Sequence, residues 1–206
     1  MSQTATKNAI TLKGSAAIIS EYLKYGINSI LFQRGIYPGE SFTNEQNYGL
    51  TILMSTDPKI KDYLNQVLSQ LEDWLRNDQV EQISMIIKDV AHDEIVECWD
   101  FKVTPEKVLE EAKDVKKVTS DKDLKKIQAE IRDVMRQIAA TVSYLPLLDC
   151  TCSFDVLIHT KELIDMPSEW SEAKAAEIKD KQVVSLKSFS TGLQKMDTVV
   201  SYKMMD

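Results

Sequence analysis

The chain has 206 residues, a hydrophobic share of 43% and a formal net charge of −7. That length and apolar content suit one domain with a substantial core. The acidic balance argues against nucleic-acid binding as the main task, because phosphate contacts need a basic face. Cys98, Cys150 and Cys152 are too few for a disulfide scaffold, Ser2 to Lys7 is polar where a leader would be apolar, and no apolar run is long enough to span a bilayer. A reducing, membrane-free cytosolic or nuclear setting is expected.

A first helix is predicted over Ile10 to Arg34, where Leu12, Ala16, Ile19, Leu23, Ile27, Ile30 and Leu31 return at helical spacing and Gly35 and Pro38 stop the run. Phe42 to Asn47 reads as loop and Leu50 to Met54 as a short strand. Asp57-Pro58 opens a second helix, an acceptor cap followed by proline at the first helical position, with a buried stripe of Ile60, Leu64, Val67, Leu68, Leu71 and Leu75. Val80 to Val90 and Ile95 to Val103 form a hairpin about Ala91 to Glu94. Ile95, Trp99, Phe101 and Val103 share one face there, with Glu97 the polar exception.

Thr104 to Lys122 is dense in charge and lacks aromatics, so it reads as a mobile linker; an extra helical turn around Glu106 to Lys113 is the other reading. Ser120 and Asp123 are spaced as a capping box for a third helix with core positions Leu124, Ile127, Ile131, Val134, Ile138 and Thr141, ended by Pro146. From Leu147 to Thr160 apolar and polar residues alternate as in a half-buried strand, with Leu148, Cys150, Cys152, Phe154, Val156 and Ile158 on the apolar face. Met166 to Lys181 is loop-like, and Val183 to Ser190 and Met196 to Lys203 read as two strands joined near Gly192. The sum is an α+β domain, helices backed on a mostly antiparallel sheet.

Chemical motifs are sparse. Cys150-x-Cys152 lies on the apolar strand face, no second ligand pair has suitable spacing, and His92 and His159 are isolated, so buried structural cysteines are expected and no metal. Cys98 lacks a neighbouring histidine. There is no glycine-rich phosphate loop and no Gly-x-Ser-x-Gly elbow, so no catalytic residue or cofactor is assigned; a small hydrolase is the distant alternative. Trp99 belongs to the core, whereas Trp74 and Trp170 admit either core packing or a peptide groove. On the third helix, the face opposite the core stripe carries Asp133, Arg136, Ala140 and Tyr144 with Gln137 at its flank. It reads either as an interface or as an ordinary solvated face.

Particular runs are recognisable. Ile10-Thr11-Leu12-Lys13-Gly14-Ser15, Gly26-Ile27-Asn28-Ser29-Ile30-Leu31 and Gln33-Arg34-Gly35-Ile36-Tyr37-Pro38 open the chain. Tyr48-Gly49-Leu50-Thr51, Trp74-Leu75, Arg136-Gln137-Ile138, Leu145-Pro146-Leu147-Leu148, Cys152-Ser153-Phe154-Asp155, Leu186-Lys187-Ser188-Phe189 and Tyr202-Lys203 continue the pattern. Over Ile10 to Lys203 the chain thereby resembles the HORMA-domain family, in its spindle-checkpoint branch; Thr104 to Lys122 and the tail Met204-Met205-Asp206 depart from it.

The resemblance implies one HORMA domain over residues 1–206, with a central sheet, three long helices, a flexible segment 1–9, a mobile loop 104–122 and a mobile safety belt 161–206. The implied activity is binding: a switch between open and closed conformers that entraps a peptide motif and so delays anaphase. The motif comes from a coiled-coil kinetochore receptor or from the β-propeller coactivator of the anaphase-promoting complex. Further implied partners are a checkpoint kinase-like pseudokinase and other mitotic checkpoint complex subunits, a HORMA-like remodelling adaptor with its AAA+ ATPase, and a second copy of the chain, at the nucleus, kinetochore and cytoplasm. Arg136 and Gln137 match the family's dimerisation pair and Tyr144 the aromatic of that interface. The expected peptide track is Trp74, Phe154, Val156, Leu157, Ile158, Trp170, Val184, Leu186 and Phe189, because the Leu147 to Thr160 strand offers a backbone edge for strand addition. The HORMA adaptor of translesion DNA polymerase ζ is the alternative; Arg136-Gln137 and the opening run favour the checkpoint branch.

Overall fold

The computed structural model describes residues 9–161, 164, 166–168, 170–173 and 177–204. Along them run β1 (Ile10–Thr11), α1 (Leu12–Gln33), β2 (Phe42–Asn47), β3 (Leu50–Ser55), α2 (Pro58–Leu75), β4 (Val80–Asp89) and β5 (Glu94–Pro105). They are followed by α3 (Lys107–Glu110), β6 (Thr119–Ser120), α4 (Leu124–Ala140), β7 (Cys152–Thr160), β8 (Lys181–Ser185), β9 (Phe189–Ser190) and β10 (Gln194–Lys203). The central sheet has the order β7-β4-β5-β10-β8, with β9 paired to β10; β1 pairs with β6 and β2 with β3, all antiparallel. No helix among the described residues is long and apolar enough to cross a membrane.

The helices cover one sheet face. Leu12, Ala16, Ile19, Leu23, Ile27, Ile30 and Leu31 of α1 are all buried, and α1 packs against α2, α4 and β3. Tyr22 ties α1 to the sheet: its ring meets Phe101 and Phe189 edge-on at 6.0 and 4.8 Å, and its hydroxyl lies 2.9 Å from the Thr198 hydroxyl on β10. Asp57 caps α2 by accepting the Lys59 N–H, and the expected α2 stripe is buried.

Several sequence expectations shift. Phe42 to Asn47 is strand, not loop: its polar run has no apolar alternation, and its order comes from the β3 ladder and a tight turn in which Tyr48 and Gly49 have φ of 53° and 70°. On α4 the cap is Asp123, which accepts the Lys125 N–H, while Ser120 Oγ accepts from Lys122 N; Leu124 is 49% exposed, one turn short of the core. Pairing slips between Ile87 and Lys88, so Ile95 joins Ile86 and Cys98 on the far face and Val96 enters the main core. The apolar alternation from Leu147 becomes strand only at Cys152, and Leu147 is 82% exposed.

Within Thr104 to Lys122 lie the end of β5, α3, a 3-10 turn at Val115–Lys117 and β6. Leu109 packs with Leu12 and Leu193, and Glu106 N donates to Leu193 O. Gly192, at φ +87°, lets the β9–β10 turn press on this segment: a Cβ there would lie 2.0 Å from Ser120 Oγ.

Glu97, the polar exception on β5, is 1% exposed and sits in a closed network. Arg34 Nε donates to both carboxylate oxygens at 3.1 and 2.9 Å, Arg34 Nη2 donates to Pro146 O at 2.6 Å, and Trp99 Nε1 donates to Glu97 Oε1 at 2.6 Å. Burial raises the Glu97 pKa, and the Arg34 charge offsets part of that rise. Glu97→Ala leaves a buried guanidinium unpaired and is expected to cost about 3–5 kcal/mol, read as a lower urea midpoint; Arg34→Met with Glu97→Leu should recover most of the loss. A Glu97→Ala midpoint equal to wild type would contradict this.

Candidate functional site: the outer edge of β7

β4 pairs with β7 from Val80↔Thr160 to Asp89↔Cys152, and no strand among the described residues lies on the other side of β7. Val156 N bonds Tyr63 Oη at 2.9 Å and its neighbour's Asp155 Oδ1 at 2.8 Å, so this N–H points away from β4. Antiparallel strands alternate the direction of their backbone groups, which turns Phe154 and Ile158 outward as well.

The side chains alternate independently. Phe154, Val156 and Ile158 pack toward the main core, whereas Leu157 joins Ile86, Cys98 and Ile178 on the opposite face. Above the edge lies a cavity of about 320 Å³ lined by Trp74, Val156, Ile158, Ile164, Met166 and Trp170. A second cavity of about 710 Å³ continues along α2 past Tyr63, Gln66, Gln70 and Asp155. The first cavity is mainly apolar, with His159, Thr160, Ser171 and Glu172 also on its wall, a mixture that suits a peptide.

The described residues between 161 and 180 fall on both sides of this edge. The chain is tethered where it leaves β7: Lys161 N donates to Gln79 O at 2.9 Å, and Lys161 Nζ to Asp78 Oδ2 at 2.7 Å. Trp170 then meets Trp74 edge-on at 5.2 Å on the helix side, while Ile178 is buried on the other face. Trp74 and Trp170 pack against each other, and both line this cavity.

Of the expected peptide track, the structure gathers Trp74, Val156, Leu157, Ile158 and Trp170. Phe154 stands beside the groove, its ring 6.2 Å from Tyr37 and 5.7 Å from Tyr63. Val184, Leu186 and Phe189 lie elsewhere: Val184 pairs with Val200 at the opposite sheet edge, Leu186 N donates to Thr198 O, and Phe189 is core beneath Tyr22. Their strands reach the sheet through β10, which pairs with β5, so three strands separate β8 from β7.

The proposed association face is on α4. Arg136 and Ala140 are exposed and Tyr144 is 46% exposed, with Val142 and Leu147 exposed beside it. Gln137 is half-buried, and its Oε1 accepts the Lys187 N–H; Asp133 bonds Lys187 Nζ at 3.1 Å, which lowers the Asp133 pKa. Sequence reading missed this tether to the C-terminal segment.

The polar clusters are built for structure. Ser84 Oγ gives its only proton to Asp100 Oδ1 at 2.5 Å, so at 3.1 Å it accepts from His159 Nε2 and histidine is no base toward it. Burial, and then the Asp100 charge, push the Cys98 thiol up to about 12. Cys150 and Cys152, half-buried where full burial was expected, lie 3.5 Å apart with Cys152 pushed up to about 12, first by burial and then by Cys150. Among the described residues no group of His, Cys, Asp and Glu is arranged to hold a metal. Sequence reading also missed Tyr63 and Asp155. The signal for Tyr63 was its place three residues after Ile60 and four before Val67, on the margin of the α2 stripe.

Comparison with known proteins agrees with this architecture. The HORMA domain family model matches residues 15–194. The human mitotic spindle assembly checkpoint protein MAD2A is 44% identical over 98% of this chain and 96% of its own length. A chain in the crystal structure of a mitotic checkpoint complex superposes with a TM-score of 0.82 at 34% identity, covering 93% of this chain and 100% of that one. The C. elegans protein HTP-2, solved bound to a HIM-3 closure motif, shares the fold with a TM-score of 0.70 at 14% identity, covering 95% of this chain and 92% of its own. The chain belongs to the HORMA-domain family, in the branch of the spindle assembly checkpoint proteins.

Proposed function

We propose that this checkpoint protein captures a short peptide as an added strand along β7 and holds it beneath the 161–180 segment. The observation that carries the reading is an edge strand with outward backbone groups, roofed by an apolar groove whose lid rests on Trp74 through Trp170. A checkpoint-complex neighbour and a neighbour solved with a closure motif support it. The partners are the coiled-coil kinetochore receptor and the β-propeller coactivator of the anaphase-promoting complex, whose sequestration delays anaphase. The remaining checkpoint-complex subunits, pseudokinase included, and the remodelling adaptor with its ATPase complete the set. The site of action is the kinetochore, nucleus and cytoplasm.

The described arrangement is one of two conformers. Here β10 takes the β5 edge and leaves β7 open. In the other, the N-terminal segment and the C-terminal strands exchange claims on the sheet, and 104–122 moves with them. Such an exchange breaks many backbone bonds and is slow compared with loop motion.

Two predictions test capture and self-association. Removing residues 197–206 takes away most of the β10–β5 ladder and should abolish stable capture of overlapping synthetic peptides from the receptor and coactivator. Trp170→Ala, which leaves the sheet intact, should release peptide roughly two- to tenfold faster. Release at the wild-type rate from Trp170→Ala, measured by surface plasmon resonance, would sink the lid.

Self-association uses the α4 face. Arg136→Ala should change stability by less than about 0.5 kcal/mol. Gln137→Ala, which frees the Lys187 N–H, should cost about 1 kcal/mol. The double variant is expected to sediment as a monomer that still captures peptide; an unchanged dimer would rule the face out.

A further inference from the structure

The Tyr63 hydroxyl stands where a strand's carbonyl oxygen belongs. It lies 2.9 Å from Val156 N, the distance of an ordinary ladder hydrogen bond, and it reaches the outward side of β7 from α2. It also donates to Asp155 Oδ1 at 2.5 Å. Burial, and then the hydrogen bond to Asp155, raise the Tyr63 pKa, so the phenol keeps its proton. That proton goes to Asp155, which leaves a lone pair of the hydroxyl for the Val156 N–H. The ring is braced edge-on against Phe154 at 5.7 Å. The Val156 N–H is shared by the hydroxyl and Asp155 Oδ1, at 2.9 and 2.8 Å, and the carbonyl of an added strand needs the place that the hydroxyl oxygen fills.

Building on the reading of β7 as the capture edge, we infer that the Tyr63 hydroxyl is a built-in stand-in for the incoming peptide: it satisfies the Val156 N–H of the empty protein and leaves when a strand pairs there. Unpaired edges invite the wrong strands, and an edge donor already engaged is less inviting. The same contact opposes the right strand by the strength of one neutral hydrogen bond, so the peptide must supply a better acceptor along several residues at once. The space for the displaced ring is the second cavity, whose lining includes Tyr63 itself with Gln66 and Gln70. Asp155 limits the effect, since its carboxylate still accepts from Val156 N at 2.8 Å after the hydroxyl goes. A tyrosine that merely ended the added strand would stay in place in the complex, and its hydroxyl would then support binding.

Tyr63→Phe keeps the ring and its Phe154 contact and deletes only the oxygen. The full-length variant should unfold about 2–4 °C below wild type, exchange the Val156 amide proton faster when empty, and bind overlapping receptor-derived synthetic peptides about fivefold more tightly, the equivalent of one net hydrogen bond. Most of the gain should appear in the association rate. Asp155→Asn, which loosens the hold on the hydroxyl, should shift affinity in the same direction by less. Equal affinity for wild type and Tyr63→Phe would overturn the stand-in while leaving capture at β7 intact. Weaker binding by Tyr63→Phe would overturn it in favour of a tyrosine that stays and supports the peptide. Failure of wild type and variant alike to take any peptide would remove both readings, because an edge that accepts no strand has nothing to hold off.

Discussion

A sheet edge cannot leave its N–H and C=O groups without partners at no cost, and the architecture described here turns on how the two edges of one sheet are settled. On the β5 side the chain uses its own C-terminal residues: β10 runs the length of β5, from Gln194↔Pro105 to Tyr202↔Glu97, and β8 closes that flank. On the β7 side the chain offers side chains instead: a tyrosine hydroxyl, an aspartate and a loop resting on paired tryptophans. Side chains can leave a strand edge one at a time, whereas a ten-residue strand cannot. That difference is why capture is proposed at β7, with β5 as scaffold.

The buried Arg34–Glu97 pair fixes the scaffold behind the open edge. It joins the C-cap of α1 to the middle of β5 and, through Pro146 O, to the turn that leads into β7. Two hydrophobic residues of similar volume would bury more cheaply, because desolvating both charges offsets their attraction. What the charged pair adds is direction: the Arg34 Nε–H, shared between both carboxylate oxygens, and the Trp99 indole N–H fix the carboxylate from two sides. Loss of either member leaves the other stranded. The α1 terminus and β5 are thus committed to one relative placement.

Most of the scaffold was legible because periodicity and packing agreed. The α2 stripe, the hairpin and the α4 stripe from Ile127 to Thr141 each bury the face that their spacing marks. The misses share a cause: order imposed from a distance. β2 has the composition of a loop and becomes strand because β3 supplies its partners. Ile95 sits in register with Trp99 in sequence, and one bulge moves it to the other face. Alternation from Leu147 onward promised five more strand residues than form, because β4 ends at Asp89 and beyond it only the single bond from Val90 N to Thr151 O continues the pairing. At the site, aromatic and apolar residues of β7 and the Trp74–Trp170 pair were readable as types. Tyr63, which comes from another element to satisfy one backbone donor, was not. Val184, Leu186 and Phe189, expected on the same track, lie in the structure with β10 and α1, away from β7, since composition cannot say at which edge of a sheet a strand docks.

The association face and the C-terminal segment share their polar partners. Gln137 spends its carbonyl oxygen on the Lys187 N–H, and Asp133 pairs with the Lys187 ammonium. Lys187 lies between β8 and β9, so these bonds exist only while the C-terminal strands stand beside β5 and α4. A rearrangement that carried β8 to β10 away would free Gln137 and Asp133 and alter the surface around Arg136, with no change in α4 itself. By linkage, a second copy that binds this face better with those bonds made would favour the arrangement that makes them, and one that needs Gln137 free would oppose it by the same free energy. If the proposed capture and self-association both hold, the contact between α4 and residue 187 is where the two would be coupled.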